Sequence, residues 1–377
     1  MSGHADRGAG ARLDRGVILV VEQLRRTVPG GIGTYARGLL GGLAALADSE
    51  RPPCRLYASR PPAGQDPLGS LGFPLENSAL PAGALVRAWA AGFGRIGRDA
   101  SLVHAVSLAA PPSAVPLVVT IHDLAWRTVP GTFPARGRRW HERALARVAR
   151  ETACAIVPSE ATARALREAD VGVGDDRIVV VEEGSDHLPP ADPAAAEAVL
   201  AGLGVTGGYL LAVGTREPRK NLARLFAAYD LARRRGAEPL ALVVVGPAGW
   251  GEAASAPPEG VVFAGRVAPP ALAGLYARAR LVAYVPLVEG FGLPVVEAMR
   301  AGAPVVAAAV PAAGGAAYEV DALDVEAIAA GLARVAADEA LRAQLVAQGR
   351  ARVERLTWRA TAAAHVAVWR RLTGAGP

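Results

Sequence analysis

A chain of 377 residues with 51% apolar and 20% charged residues is long enough for two ordinary domains, and nothing in its composition is fibrous or disordered. Its 41 Lys plus Arg against 35 Asp plus Glu give a net charge of +6, but no interleaving of basic and aromatic residues accompanies the excess, so it does not indicate a nucleic-acid binder. No apolar run approaches the ~20 residues of a membrane span and no signal-peptide core follows the start, which makes a cytoplasmic protein the expectation; Cys54 and Cys154 lack metal-ligand spacing and read as two buried free thiols.

Residues 1–16, MSGHADRGAGARLDRG, read as a floppy tail. Beyond them apolar runs alternate with helix-period stretches, and the alternation occurs twice, which is the pattern of two doubly wound parallel α/β sheets. The first set of strands falls at Val17 to Val21, Leu102 to Ala105, Leu117 to Ile121, Ala155 to Val157 and Ile178 to Val181. After the first of these, Pro29 to Leu40 forms a glycine loop opening a helix. Gly31, Gly33 and Ala36 satisfy G-x-G-x-x-A, with Asp48 near the place of a ribose partner, so a nicotinamide-dependent oxidoreductase is one reading. About nine residues separate Val21 from Gly31, however, whereas a dinucleotide turn follows its strand at once.

The strand ending at Ile121 presents His122 and Asp123 at its carboxyl end, the imidazole placed to meet a ligand and Asp123 to orient it or to cap a helix. In the stretch from Ala135 to Glu151, Arg139, Arg143 and Arg147 recur every four residues, with Arg136, Arg138 and Arg150 beside them and Trp140 in the middle. On a helix this is a basic stripe, either a solvated face or a dock for anionic lipid headgroups or a phosphate-bearing acceptor. Ser159 is placed to cap a helix. Gly184 to Pro193, with Pro189 and Pro190, reads as a hinge, giving an N-terminal domain over 17–187, a linker over 188–207, a C-terminal domain over 208–358 and a closing helix over 359–377.

The second set of strands falls at Tyr209 to Val213, Ala241 to Val245, Val261 to Phe263, Leu281 to Tyr284 and Val305 to Ala308. The loop after Val213 gathers Arg216, Arg219 and Lys220, and Asn221 or a neighbour can cap the helix that follows. Lys220 is the sole lysine of the chain, which suggests that a compact ammonium is wanted where a planar guanidinium would not serve. Such a charge about 4 Å from a phosphate oxygen is worth on the order of 4 kcal/mol at an effective dielectric near 20. Its loss is expected to hurt catalysis much more than folding.

After the strand ending at Tyr284, Glu289 and Glu297 stand eight positions apart around Gly290, Phe291, Gly292 and Leu293. Pro294 suits the start of a helix, so this loop offers backbone N–H groups and the positive end of a helix dipole to a diphosphate. Glu297 is expected in the first helical turn, able to accept two hydrogen bonds from a ribose diol, while Glu289 faces the sugar.

The segment EGFGLPVVEAMRAGAPVVAA, from Glu289 to Ala308, resembles the Glu-x7-Glu signature of the retaining GT-B glycosyltransferases of family four; GTREPRKN, from Gly214 to Asn221, resembles the family's GT-x-E-P-R-K-N variant common in mannosyltransferase-like relatives, and the resemblance extends over most of the chain. It implies two Rossmann-like domains facing each other across a cleft that holds the active site, with the final helix crossing back to the first domain. It implies that Glu297 binds the ribose, that Glu289 contacts the donor sugar, and that the amides of Gly290 to Leu293 hold phosphate and sugar oxygens. Arg216, Arg219 and Lys220 would clamp the diphosphate, the Gly31 and Gly33 loop would meet the donor phosphate, and His122 would hydrogen-bond the transferred sugar. Asp123, Arg139 and Arg143 fall to the acceptor side.

The implied reaction is hexose transfer from GDP-mannose or a UDP-sugar to an acceptor hydroxyl, a sugar or a lipid-linked one, with retention, no metal and no cofactor. The setting would be polysaccharide, glycolipid or glycosylated-metabolite synthesis, with peripheral membrane contact through the basic stripe. A GT-B relative that isomerises or only binds a nucleotide sugar is the other family reading. Two departures stand out: Thr215 occupies the place where relatives carry Arg, and no acidic residue lies between Glu297 and Glu319, where the loop from Ala307 to Tyr318 looks shortened.

Overall fold

The computed structural model of the protein describes residues 13–249 and 257–374. These form two compact units, the first built from 13–122, 139–182 and 358–374 and the second from 123–138, 183–249 and 257–357.

The first unit holds a seven-stranded parallel sheet: β1 (Val17–Val20), β2 (Cys54–Ala58), β3 (Leu75–Asn77), β4 (Leu102–Ala105), β5 (Leu117–Thr120), β6 (Cys154–Val157) and β7 (Ile178–Val180), in the order β3-β2-β1-β4-β5-β6-β7. Every residue of β1, β4, β5 and β6 is buried. Strands covered on both faces need an unbroken apolar run, and VILV and LVVT supply it with β-branched residues. Val17 pairs with Cys54 on one side and Leu102 on the other, which makes β1 an interior strand of the sheet.

The second unit repeats the plan with six parallel strands: β8 (Tyr209–Val213), β9 (Ala241–Val245), β10 (Val261–Gly265), β11 (Leu281–Tyr284), β12 (Val305–Ala307) and β13 (Tyr318–Glu319), ordered β10-β9-β8-β11-β12-β13. The ten strands read from the sequence are all present, with ends shifted by at most two residues. Three more were not: β2 opens on half-buried Cys54 and Arg55, and β3 and β13 are short polar edge strands. In both sheets the order reverses once, between β1 and β4 and between β8 and β11. Loops leaving the carboxyl ends of such a pair diverge and open a crevice for ligands.

The helix Trp358–Thr373 packs on the helix Gly30–Ala44 within the first unit. A Cβ on Gly38 would stand 2.1 Å from the Trp358 ring and one on Gly42 2.0 Å from the Trp358 carbonyl oxygen, so only glycine lets the two backbones approach this closely. Beneath this contact runs a buried polar chain. His365 Nδ1 lies 2.7 Å from the Thr361 carbonyl, Tyr35 Oη 2.7 Å from His365 Nε2, Thr120 Oγ1 2.9 Å from Tyr35 Oη, and His104 Nε2 2.9 Å from Thr120 Oγ1. The Thr361 carbonyl requires the proton on Nδ1 of His365, so Nε2 accepts from Tyr35; carried onward, the same logic puts the His104 proton on Nε2 and leaves its buried Nδ1 as a bare acceptor.

Several expectations are corrected. Of the supposed tail, residues 1–12 lie outside the described residues, whereas Leu13–Arg15 form a 3-10 turn with Leu13 buried. Arg147 does not belong to an exposed stripe: its helix, Ala135–Glu151, turns it inward with Leu145 and Val148, where it pairs with Glu151 and donates to the Ala110 carbonyl. Cys154 is buried but Cys54 only half so; burial raises both thiols, Cys54 to about 12. Among the described residues both are free. For the dinucleotide reading, a 3-10 turn at Glu22–Arg25 intervenes before the Gly30 helix, and Asp48 is an exposed residue paired with Arg51.

Candidate active site

In the second unit, β8 and β11 are the strands at the reversal of order, and the two loops that leave them carry the charged residues singled out in the sequence. The β8 loop continues into a 3-10 turn, Pro218–Lys220, and then Asn221, whose left-handed backbone (φ 61°) leads into the helix Leu222–Arg234. The sequence offers Asn221 as a cap for that helix, but its side chain makes no capping hydrogen bond. It donates instead to the carbonyls of Val285 at 3.0 Å and Ala322 at 2.7 Å, because the loop must be tied to the end of β11 more than the helix needs a side-chain cap. Leu287 N in turn donates to the Arg219 carbonyl at 2.9 Å, so the two loops are stitched backbone to backbone.

That stitching brings the charges together. Lys220 Nζ lies 2.6 Å from Glu289 Oε2 and 2.7 Å from Tyr284 Oη. Arg219 reaches Glu289 Oε1 at 3.0 Å and Glu217 Oε1 at 2.8 Å, with Asp123 Oδ2 at 3.8 Å inside the same unit. Tyr284 Oη completes the set, 2.5 Å from Glu289 Oε2. Burial alone would raise the Glu289 carboxyl, but Lys220 and Arg219 outweigh it and hold the group well below the ordinary carboxylate range. Burial, then the neighbouring Glu289 charge, drives the Tyr284 phenol well above its usual value, so it stays a donor. With three donors on its two oxygens and a depressed pKa, Glu289 is a poor nucleophile and a good electrostatic partner.

Glu297 requires a correction. The helix Leu293–Arg300 starts one residue before Pro294, with Gly292 at its cap in a positive-φ conformation (112°) that favours glycine. Glu297 therefore stands past the first turn, where its charge is no simple complement to the dipole. It is buried, 7% exposed, with Tyr276 Oη 2.7 Å from Oε2 and His187 Nε2 2.9 Å from Oε1. The amides of Phe291, Gly292 and Leu293 donate to no backbone carbonyl among the described residues, and they are the groups an anion at this helix end would meet. The loop after β12 packs against this turn: Ala312 N donates to the Phe291 carbonyl at 2.9 Å, and Val310 and Ala312 contact the position of Gly292.

The remaining candidates divide between the units, Arg216 and Asp123 in the second and Gly31, Gly33, His122, Arg139 and Arg143 in the first. Arg216 turns onto the Phe263 ring, its guanidinium carbon 4.6 Å from the centroid, in a cation–π contact. Gly33 lies inside the Gly30–Ala44 helix, its amide donating to the Pro29 carbonyl, so it contributes close packing rather than a phosphate contact; Gly31 has open space around it. His122 follows β5 in the first unit, with Nε2 2.9 Å from the Val106 carbonyl and its ring edge-on to Tyr35. Asp123 Oδ1 accepts from Ala125 N at 2.9 Å and so leads into the short helix Ala125–Thr128. Arg139 and Arg143 are exposed. Among the described residues no group of three or more His, Cys, Asp or Glu is placed to hold a metal ion, and no helix is long and apolar enough to cross a membrane.

Tyr276, Tyr284, His187 and Glu217 were missed from sequence. The one available signal was spacing: Tyr276 and Tyr284 stand eight apart, as do Glu289 and Glu297, but only the fold shows that the two pairs meet.

Residues 29–187 match the family described as Glycosyltransferase Family 4, and residues 202–352 match Glycosyl transferases group 1. One family model thus falls on each half of the chain, on a frame of two parallel α/β sheets. It is 32% identical over 255 residues to the O-antigen chain mannosyltransferase B of Escherichia coli, a match covering 64% of this chain and 66% of that relative. It is 33% identical over 127 residues to the serotype-specific mannosyltransferase WbdA of the same organism, over 32% of this chain and 15% of the relative. The chain thus spans just under two thirds of the first relative's length and a small part of the second's. The crystal structure of Anabaena HepE in complex with UDP and glucose superposes with a TM-score of 0.68 at 18% identity, covering 93% of this chain and 98% of that one. At that identity the likeness establishes the shared two-sheet GT-B architecture.

Proposed function

We propose that this GT-B protein transfers a hexose from a nucleoside-diphosphate sugar to an acceptor hydroxyl, with retention of configuration and without a metal, in the assembly of a surface polysaccharide or glycolipid. The observation that carries this reading is the convergence of Lys220, Arg219 and Glu289 on the loop that leads to the amides of Phe291 to Leu293, which donate to no backbone carbonyl among the described residues, at the reversal point of the second sheet. Breaking the bond between an anomeric carbon and a diphosphate builds positive charge on the sugar and negative charge on the leaving oxygens. Two fixed cations and a helix amino terminus suit the second, and a half-buried, ionised Glu289 suits the first. Glu297 is then the partner of the ribose diol.

GDP-mannose is the first donor to test, ahead of UDP-sugars, since the relatives with the highest identity given above are mannosyltransferases. His122 is assigned to the transferred sugar, and Asp123, Arg139 and Arg143 to the acceptor side. The experiment is calorimetric titration of the protein with GDP-mannose, GDP, UDP-glucose and UDP, followed by an assay of the best donor with and without a glycan acceptor. Binding with acceptor-dependent release of nucleoside diphosphate is expected. Conversion of the donor with no acceptor would instead indicate an isomerase.

A cytoplasmic location at the inner face of the membrane belongs to the same reading. Arg136, Arg138, Arg139, Arg143 and Arg150 are all exposed on one helix, enough positive charge to favour an anionic bilayer by about 1 kcal/mol per residue at the surface. Retention of the protein on phosphatidylglycerol vesicles, lost when Arg139 and Arg143 become Glu, is the expected outcome. Equal recovery in the supernatant from charged and neutral vesicles would refute membrane contact.

A further inference from the structure

Each carboxylate of the Glu289 and Glu297 pair has one oxygen anchored by a buried tyrosine and the other by a basic side chain that reaches the surface. On Glu289, Oε2 receives the Tyr284 hydroxyl at 2.5 Å, beside the Lys220 ammonium at 2.6 Å, while Oε1 faces Arg219, whose side chain is 14% exposed. On Glu297, Oε2 receives the Tyr276 hydroxyl at 2.7 Å while Oε1 faces His187, whose side chain is 15% exposed. Tyr276 itself is wholly buried on the helix Pro269–Arg278, and Tyr284 nearly so at the end of β11. From this repeated arrangement we infer that Tyr276 and Tyr284 are positioning residues for the donor, holding the inner oxygen of each carboxylate so that the outer oxygen meets the nucleotide sugar. The inference rests on the donor-site reading above and deepens it.

The chemistry of the two hydroxyls differs. Tyr276 can only donate to Glu297 here, so removing its oxygen frees the carboxylate to rotate toward His187 and spoils the geometry a ribose diol requires. Tyr284 is two-sided: it accepts from Lys220 and donates to Glu289, and so it shares the ammonium with the carboxylate. Without that hydroxyl Lys220 falls wholly to Glu289, and the leaving diphosphate loses a cation at the moment its charge develops. Burial, reinforced by the adjacent carboxylate in each case, keeps both phenols protonated and able to donate. Tyr276 therefore governs nucleoside binding and Tyr284 governs the chemical step.

The test uses Tyr276→Phe and Tyr284→Phe, which keep the ring and remove one oxygen. Titrations use GDP and 2′,3′-dideoxy-GDP, or the uridine pair if the wild type prefers UDP, with kcat and donor KM measured alongside. A hydrogen bond to a charged group is worth roughly 10- to 100-fold in an equilibrium. Tyr276→Phe should weaken the ribonucleotide by about that factor, raise donor KM with kcat unchanged, and leave the dideoxy compound unaffected. Tyr284→Phe should leave both nucleotides within about twofold and lower kcat at least about tenfold.

If Tyr276→Phe proves poorly folded, it is added to Glu297→Gln, and Tyr284→Phe to Glu289→Gln. Groups acting through one carboxylate must be non-additive, so the tyrosine change should then add less than about twofold. Wild-type protein that binds no nucleoside diphosphate overturns the donor site and this inference together. Nucleotide binding with unchanged kcat and KM in both variants, or equal weakening of ribo- and dideoxy-nucleotide in Tyr276→Phe, overturns the tyrosine assignment alone.

Discussion

A Lys220→Ala variant should lose roughly 100- to 1000-fold in turnover, the usual consequence of removing one preorganised donor aimed at developing charge. The ammonium is held at 2.6 Å from Glu289 and 2.7 Å from Tyr284, so no reorganisation is needed to present it. The sequence alone suggested that its removal would scarcely touch folding, and the geometry revises that. Losing one partner of a buried ion pair is destabilising because the other charge stays behind, and removing a sole partner costs about 3 to 5 kcal/mol. Glu289 keeps Arg219 at 3.0 Å and the Tyr284 hydroxyl, so a smaller loss of roughly 1 to 3 kcal/mol is expected. The measurements are kcat with the best donor and the melting temperature without ligand. Wild-type turnover in Lys220→Ala would remove the residue from the mechanism, and an unchanged melting temperature would show that Arg219 alone neutralises Glu289.

Acid should loosen the first unit well before carboxylates titrate. His365 is wholly buried, and burial holds its imidazole at about 4 rather than 6.5, with the nearby His122 adding to the effect; burial, then His365 and His122, lower His104 in the same direction. A base with a lowered pKa in the fold binds protons only in the unfolded chain between those two values. Stability is therefore full above pH 6.5 and is lost progressively as pH falls to about 4, by roughly 3 kcal/mol for His365 alone. The structural cost is visible: a proton on Nε2 of His365 would confront the Tyr35 hydroxyl that donates to it. Trp89, Trp140, Trp358 and Trp369 lie in the first unit and Trp126 in the second, so tryptophan fluorescence during urea unfolding at pH 7.5, 6.5 and 5.5 is weighted toward the first. His365→Gln should flatten that pH dependence. A variant with the full wild-type slope would place the acid sensitivity elsewhere.

How far the sequence went can be judged residue by residue. The central strands were readable because parallel strands buried on both faces leave unbroken runs such as VILV and LVVT, whereas β3 and β13 are edge strands of three and two residues with polar side chains and leave no such trace. Lys220 and Glu289 stood out through rarity and spacing, and the fold joins them. What the sequence could not show was partnership between distant segments. Tyr276 meets Glu297 from the preceding helix, His187 meets the same carboxylate across 110 positions, and Arg147 has the local pattern of a surface stripe yet turns inward. Helical periodicity describes a face, and only packing decides which face is covered.

The glycine groove that receives Trp358 has a consequence for how the molecule is made. Residues 358–374 complete the unit to which β1 through β7 belong, yet on a ribosome they emerge only after the whole second sheet has been synthesised. Until then Gly38, Gly42 and Tyr35 lack their cover, so the portion translated first is finished last, while the later-translated sheet can close on itself in the interval.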